Sequence, residues 1–176
     1  MVAISNLASL NFTQLAANAV EPAAGSNYHI QNLAFAHFLD NSNGVTSDGN
    51  PVVSGASSSA SSQLWTYLDY PSTAGDRVFT LQVLSTEQSP ASFNTRGGFL
   101  RIDSSTGKLV QGGAPMAWKL IEVAPTIFKL TPFDDVMSES GSLVATDMNS
   151  NIVSISANQA QLTQDETQLQ QLWTFN

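Results

Sequence analysis

The sequence contains no cysteine, and charged residues make up only 11% of its 176 residues, against about 25% in an average soluble protein. The lack of cysteine excludes a disulfide framework and any thiolate metal site. No apolar run approaches the roughly 18 residues that a membrane-spanning helix needs. The first 20 residues also lack the basic segment and unbroken apolar core of a secretory signal. We therefore expect a cytoplasmic or non-classically secreted protein that does not insert into membranes.

Basic residues are scarce and unevenly distributed. All six lie between positions 77 and 129, whereas residues 1–76 contain five acidic residues and neither lysine nor arginine. With a net charge of −8, the chain repels phosphate backbones and anionic lipid surfaces. Nucleic acid is therefore not an expected partner.

Tryptophan is also rare, yet its three copies stand at nearly equal intervals. Trp65, Trp118 and Trp173 are 53 and 55 residues apart. Each is followed by a polar or basic residue and then by an apolar one, and two of the three belong to the tripeptide Gln-Leu-Trp. A rare residue that recurs in a matching context indicates an internal repeat, here with a unit of roughly 50 residues.

Each repeat unit contains the same series of short apolar segments separated by turns. An aromatic residue opens a segment of alternating apolar and polar residues, which is the period of a half-buried strand. An apolar pair, a turn, a second short apolar segment and the tryptophan segment follow. The aromatic residues are Tyr28, Phe79 and Phe128; the pairs are Phe38-Leu39, Phe99-Leu100 and Leu143-Val144; the turns are DNSNG, DSSTG and DMNSN. The composition of these turns favours hairpin tips.

Four short strands in each of three units predict an all-β protein with the β-trefoil fold, in which three hairpins cap a six-stranded barrel. We expect lobes at about 27–76, 77–125 and 126–176. Residues 1–26 precede them as an N-terminal arm, whose mixed apolar spacing fits neither a helix nor a strand. The arm either packs on its own barrel or docks on a second subunit to form a homodimer.

The first unit carries the fullest set of motifs. These are Tyr28-x-Ile30-x-Asn32, Phe38-Leu39-Asp40, Gly49-Asn50-Pro51-Val52 and Gln63-Leu64-Trp65. With them, residues 27–176 resemble the ricin-B-type trefoil lectins, whose repeats end in Gln-x-Trp, and are most similar to the single-domain ricin-B-like proteins of mushrooms. The resemblance implies a fungal lectin that is not an enzyme, binds glycans of the galactose or N-acetylgalactosamine type, and serves in defence against animals or microbes.

The Gln-x-Trp motif has a structural role in such a protein. A tryptophan at a repeat-equivalent position fills the barrel core, and a glutamine can both donate and accept hydrogen bonds, so that it ties a hairpin to the neighbouring strand. We therefore expect Trp65, Trp118 and Trp173 to be core residues, and not surfaces on which a ligand stacks.

The resemblance also implies where a sugar would bind. In the resembled family the sugar-binding acid follows the apolar pair, and this chain has Asp40 there in the first unit, but Arg101 and Ala145 in the others. Neither replacement accepts hydrogen bonds from sugar hydroxyls, so at most one site is expected, in the first lobe. Gln63 would orient the carboxylate. The remaining candidate binding residues are Asn41, Asn43, Gly44, Asn50 and Ser62.

One expected part of this site is missing. The resemblance implies an aromatic ring that stacks on the sugar, contributed by the stretch between the hairpin and Gln-x-Trp. That stretch reads VVSGASSSASS and contains no aromatic residue. His37, which precedes the apolar pair, is the nearest substitute, although its alternative role is that of an ordinary strand residue.

Catalysis, cofactors and metals are not expected. The two histidines belong to no metalloprotease motif, and neither a nucleophile elbow nor a phosphate-binding loop is present. The series Asp147-x-Asn149-x-Asn151 is reminiscent of a calcium loop, but it lacks the glycine at the sixth place and the glutamate at the twelfth. A polar turn is the better interpretation.

A second function class remains open. Trefoils also act through protein contacts, and this chain could be one that has lost sugar binding and serves as a protease inhibitor or an accessory subunit. The long insertion before the third tryptophan, SANQAQLTQDETQLQQ, is predicted to be a helical turn or an extended loop. This insertion and the serine-rich stretch of the first unit are where a protein partner would bind.

Overall fold

The computed structural model describes residues 16–45, 47–71, 77–84, 97–137, 143–147, 151–156, 159–164 and 169–176. These ranges form thirteen hydrogen-bonded strands and three short 3₁₀ segments. The strands are β1 Asn27–Asn32, β2 Phe38–Asn41, β3 Val52–Gly55, β4 Leu64–Asp69, β5 Val78–Val83, β6 Phe99–Ile102, β7 Leu109–Gly112, β8 Trp118–Ala124, β9 Ile127–Met137, β10 Leu143–Asp147, β11 Asn151–Ser156, β12 Gln159–Gln164 and β13 Trp173–Phe175. The 3₁₀ segments are Ser42–Gly44, Ser61–Gln63 and Leu169–Gln171. No helix within the described ranges has the length and hydropathy of a membrane span.

Six of the strands close into a barrel. Antiparallel pairing runs from β1 to β4, β5, β8, β9 and β13, and β13 pairs with β1 again. A closed ring leaves no barrel strand as an open edge. The hairpins β2–β3 and β6–β7 extend from this ring, as the trefoil prediction requires.

The first two lobes repeat one pattern of strand pairing. In each, the first strand meets the second at a single position, Gln31 opposite Phe38 and Gln82 opposite Phe99. The second and third strands then pair over four residues, with Phe38 opposite Gly55 and Phe99 opposite Gly112. The two lobes can therefore be compared residue by residue.

The third lobe departs from the predicted four strands. Its first strand, β9, is 11 residues long and pairs with β10 over five positions, while β11 pairs with β12. The insertion was predicted to be a helical turn or an extended loop; its described residues include β12 and the 3₁₀ turn Leu169–Gln171. Apolar Ala160 and Leu162 alternate with polar residues in QAQLTQ, which is a strand period. Residues 148–150 of the predicted tip lie outside the described ranges.

The three tryptophans are fully buried in the core, as predicted. The indole Nε1 of Trp65 donates to the Leu39 carbonyl at 2.9 Å, and that of Trp118 donates to the Leu100 carbonyl at 3.1 Å. Both acceptors are the second residue of the apolar pair. All three tryptophans thus fill the barrel, and Trp65 and Trp118 also fix the hairpin strand of their own lobe.

The described part of the arm, residues 16–26, lies on the chain's own barrel. The Val20 amide donates to the Phe175 carbonyl and the Gly25 amide to the Tyr67 carbonyl, each at 2.8 Å. Glu21 forms an ion pair with Arg77. For this part, the structure matches the first of the two interpretations of the arm. Residues 1–15 lie outside the described ranges, and the homodimer stays a prediction.

The β6–β7 hairpin turns at Asp103, whose carboxylate is an Asx-type cap of its own turn. Its Oδ1 accepts from the Ser105 amide at 2.9 Å and from Ser105 Oγ at 2.7 Å, and its Oδ2 accepts from Thr106 Oγ1 at 2.7 Å. These hydrogen bonds to the ionised form hold the pKa of Asp103 below its ordinary value.

Asp103 should therefore make the stability of the hairpin pH-dependent. A carboxyl whose pKa is lowered by folding contributes stability above its unfolded pKa, about 3.9, and loses that contribution as the pH falls through the folded value. We expect Asp103→Ala to be less stable than the wild type at pH 7, and the difference to shrink as the pH falls below about 3.9, as measured by urea unfolding. Asp103→Asn, which keeps an acceptor without the charge, is the control. A difference between wild type and Asp103→Ala that does not change with pH would contradict this assignment.

Candidate functional site

The alternation of β2 places Asp40 on the outer face of its hairpin. Leu39 and Asn41 point inward and are fully buried, whereas Phe38 and Asp40 are half-buried on the opposite face. The Oδ2 atom of Asp40 accepts a hydrogen bond from Gln63 Nε2 at 2.8 Å. The structure thus brings together the acid and the orienting glutamine that the sequence predicted.

Gln63 is fixed on all sides. It ends the 3₁₀ segment Ser61–Gln63 and is only 1% exposed. Its Nε2 also donates to the Ala56 carbonyl at 2.7 Å, and its Oε1 accepts from the Ser58 amide at 2.9 Å. The main-chain carbonyl of Gln63 lies 3.1 Å from His29 Nδ1. Since both ends of the amide are bonded, the carboxylate next to it is held in one orientation.

The second oxygen of the Asp40 carboxylate has no hydrogen-bond partner in the described part of the chain. Oδ1 is buried and accepts no hydrogen bond from the described residues. Leaving a buried acceptor unsatisfied costs about 1–3 kcal/mol, and more for a charged group. Ala56 and Ser58, which bond Gln63, place the segment 56–58 against this pair. Because Oδ1 is shielded from solvent in this arrangement, a ligand hydroxyl reaches it only after neighbouring atoms move.

Gly55 makes room for the pair. A Cβ atom at this position would lie 2.7 Å from Asp40 Oδ2 and 2.8 Å from Gln63 Nε2, which is closer than such atoms pack. Sequence reasoning did not identify this residue. A signal was present, however, because Gly112 occupies the matching place in the second lobe, opposite Phe99 just as Gly55 is opposite Phe38.

An aromatic residue stands beside Asp40 after all. Phe38 lies two residues before Asp40 on the same face of β2, and its ring packs edge-to-face on His29 with centroids 5.5 Å apart. The predicted substitute, His37, instead lies with its Nδ1 3.0 Å from Ser54 Oγ, next to the exposed Phe35. Strand alternation around Asp40 points to Phe38, whereas the family resemblance pointed to the stretch after the hairpin.

The predicted residues Asn41 and Asn50 lie away from the carboxylate. Asn41 is fully buried; its Nδ2 donates to the Val45 carbonyl at 2.9 Å, and its Oδ1 accepts from Asn50 Nδ2 at 2.8 Å. Asn50 Nδ2 also donates to the Ser42 carbonyl at 3.0 Å. These hydrogen bonds stabilise the hairpin tip on its buried side. The two side chains are engaged in the fold and do not face the outer surface of β2.

Of the other three predicted residues, two lie at the hairpin tip and one lies next to Gln63. Asn43 and Gly44 adopt left-handed backbone, with φ of 57° and 65°, and form the tip of the hairpin. Ser62 is buried beside Gln63 in its 3₁₀ segment. The compact group on the outer face therefore consists of Asp40, Gln63 and Phe38, over Gly55.

The comparisons with known proteins give matches in structure and none in sequence. No protein-family model matches the chain, and no curated protein sequence does. The ricin B-like lectin of Macrolepiota procera, solved in complex with lactose, is 17% identical with a TM-score of 0.62, over 89% of this chain and 99% of that one. The Rhizoctonia solani agglutinin is 13% identical with a TM-score of 0.64, over 89% and 96%. ThreeFoil, a designed threefold-symmetric protein, is 15% identical with a TM-score of 0.59, over 85% and 96%.

Likeness at these identities establishes the fold. Together with the closed ring of six strands and the repeated pairing of the first two lobes, it confirms the predicted β-trefoil. The similarity to ricin B-like proteins, which the Gln-x-Trp repeats suggested, holds at the level of architecture.

Proposed function

We propose that the protein is a carbohydrate-binding trefoil with its binding site on the first lobe, at Asp40. The observation that carries this proposal is the unpaired, buried Oδ1 of a carboxylate whose Oδ2 is fixed by Gln63. An oriented acceptor without a donor is costly in a structural role and useful in a binding role. Sugar hydroxyls are suitable donors, and their bonds to a carboxylate are about twice as strong as neutral ones.

The neighbouring side chains support a sugar of the galactose or N-acetylgalactosamine type. Such sugars present two adjacent hydroxyls on one edge, for the carboxylate, and an apolar C–H face that packs on an aromatic ring. Phe38 offers that ring on the outer face of β2. The lactose complex of the Macrolepiota procera lectin agrees with this class of ligand. A single site of this size binds one sugar with a Kd in the millimolar range, about −4 kcal/mol.

The proposal includes a single site of this kind. Arg101 takes the place of Asp40 in the second lobe, where it lies opposite Val110 as Asp40 lies opposite Val53. A guanidinium has no acceptor for a sugar hydroxyl. In the third lobe the corresponding residue is Ala145, on a strand that pairs differently.

A glycan array followed by titration tests the site. We expect Asp40→Ala to weaken binding of galactosyl glycans by about 10- to 100-fold, the value of a lost charge-assisted hydrogen bond. Its thermal stability should stay close to that of the wild type, because Gln63 Nε2 keeps the Ala56 carbonyl and the orphaned oxygen is removed. Asp103→Ala, at an exposed aspartate of the second hairpin, is the matched control. Undiminished binding by Asp40→Ala would place the site elsewhere.

The alternative is a trefoil that acts through protein contacts, as an inhibitor or accessory subunit. Two observations favour it: Asp40 Oδ1 is shielded from solvent, and the inserted strand β12 joins β3 of the first lobe at Gln159 opposite Val53. Absence of binding to every glycan by the wild type would reject the lectin proposal in favour of this one.

A further inference from the structure

A cavity of about 300 Å³ lies on the second lobe, between two charged side chains from different lobes. Arg101 of β6 lines one side, and Asp48, from the hairpin tip of the first lobe, lines the other. This cavity is separate from the Asp40 group, which faces outward from the first lobe. Its volume is at the lower end of the range of small-molecule sites and fits one monosaccharide.

Main-chain hydrogen bonds hold the two lobes together at this cavity. The Gly49 amide donates to the Gln111 carbonyl, and the Gln111 amide donates to the Asn50 carbonyl, both at 2.8 Å. Pro51 forms an isolated bridge with Val110. These contacts hold the first hairpin tip against β7 and so position Asp48 beside the cavity.

The floor of the cavity is a pair of glycines. A Cβ atom on Gly112 would collide with Arg101 Cδ, and one on Gly113 would lie 3.3 Å from Asp48 Oδ1. The arginine side chain thus lies directly over one glycine and the aspartate carboxylate over the next. Larger residues at either position would occupy the space between the two charges.

Arg101 is oriented by main-chain carbonyls and has further N–H donors that no described residue accepts. Its Nη1 donates to the Ala114 carbonyl at 2.8 Å, with the Pro115 carbonyl at 3.5 Å. Among the described residues, neither its Nη2 nor its Nε has an acceptor, and no ion pair joins it to Asp48. The Asp48 carboxylate likewise accepts no hydrogen bond within the described ranges. Two opposite charges thus line one cavity with free hydrogen-bonding capacity and without closing on each other.

We propose that this cavity binds an acidic saccharide, with its carboxylate on Arg101 and its hydroxyls on Asp48. The planar guanidinium fork matches a carboxylate, and a carboxylate side chain accepts hydrogen bonds from hydroxyls. A simple anion without hydroxyls would leave the Asp48 carboxylate without a hydrogen-bond donor. A neutral sugar would leave the guanidinium without an acceptor. A uronic or sialic acid carries both groups on a molecule of the right size.

Titration with three probes tests this site: glucuronic acid, glucose as its neutral counterpart, and acetate as an anion without hydroxyls. We expect the wild type to bind glucuronic acid best, and Arg101→Gln to weaken that binding by about 10- to 100-fold. Gly112→Ala should weaken it as well, because it displaces Arg101 without altering any charge. Lys108→Gln removes a cation from the same hairpin and should have no effect beyond a small loss common to all anions.

Several results would overturn the proposal. These are equal binding of glucuronic acid and glucose, equal binding of glucuronic acid and acetate, unchanged binding by Arg101→Gln, and no binding of glucuronic acid at about 10 mM, beyond typical single-sugar affinities. The outcome is independent of the proposed first-lobe site. Asp40→Ala should keep its affinity for glucuronic acid, and Arg101→Gln should keep its affinity for galactosyl glycans.

Discussion

Trp65→Ala is expected to lower the free energy of unfolding by about 3–5 kcal/mol, the range for truncating a fully buried tryptophan. The side chain has no exposed surface, and its indole N–H is the donor for the Leu39 carbonyl. Alanine removes the apolar contacts and that hydrogen bond together. Denaturant unfolding, followed by circular dichroism so that the readout does not depend on the lost tryptophan, measures the difference.

Trp65→Phe separates the two contributions. Phenylalanine keeps most of the buried apolar surface but leaves the Leu39 carbonyl without its donor, so we expect a smaller loss of about 1–3 kcal/mol. Trp118→Ala is the matched variant in the second lobe, because its indole bonds the Leu100 carbonyl in the same way. A stability of Trp65→Ala within about 1 kcal/mol of the wild type would contradict a core role.

Gly55→Ala is the second variant with a large expected effect. The added methyl group would lie 2.7 Å from Asp40 Oδ2 and 3.1 Å from Asp40 Cβ. Aspartate is short, so its Cβ can move away only if the backbone of β2 moves. We expect a loss of about 1–3 kcal/mol in unfolding free energy, as for other overpacked positions, and loss of galactosyl glycan binding.

A double-mutant cycle tests whether the Asp40 carboxylate causes the loss of stability in Gly55→Ala. In an Asp40→Ala background the carboxylate is absent, so adding Gly55→Ala should cost clearly less than it does in the wild type. Unfolding free energies of the four proteins give the coupling between the two positions. The same cost in both backgrounds would mean that Gln63 Nε2 or the Asp40 Cβ, and not the Asp40 carboxylate, excludes a side chain at position 55.

The parts of the fold that could be predicted rest on rare residues and on local periodicity. The three tryptophans marked the repeat, and the two-residue period of segments such as β1 and β5 marked the barrel strands. The pairing of Asp40 with Gln63, 23 residues apart, was anticipated by a family resemblance and not by local pattern. The place of these two residues in a known fold indicated their contact, which the local sequence pattern does not.

What the sequence did not reveal depends on contacts between distant segments. The insertion became β12 because β11 and β3 offer it partners, which a propensity for loops does not anticipate. Gly55 is needed because the Asp40 side chain of the neighbouring strand β2 lies over it, a contact that the local sequence does not indicate. Asp48 and Arg101 line one cavity only because the tip of one lobe bonds the edge of the next.

The closure of the barrel has a consequence for the way the chain folds. Strand β1 pairs with β13 at Ile30 opposite Phe175, and Asn32 Nδ2 donates to the Gln170 carbonyl at 2.7 Å. During synthesis, the first lobe is therefore made early but completed only after residue 175 has emerged. Domains dominated by such non-local pairings fold in milliseconds to seconds. Until then the strand edges of the first lobe are exposed, which makes the nascent chain the state most open to aggregation.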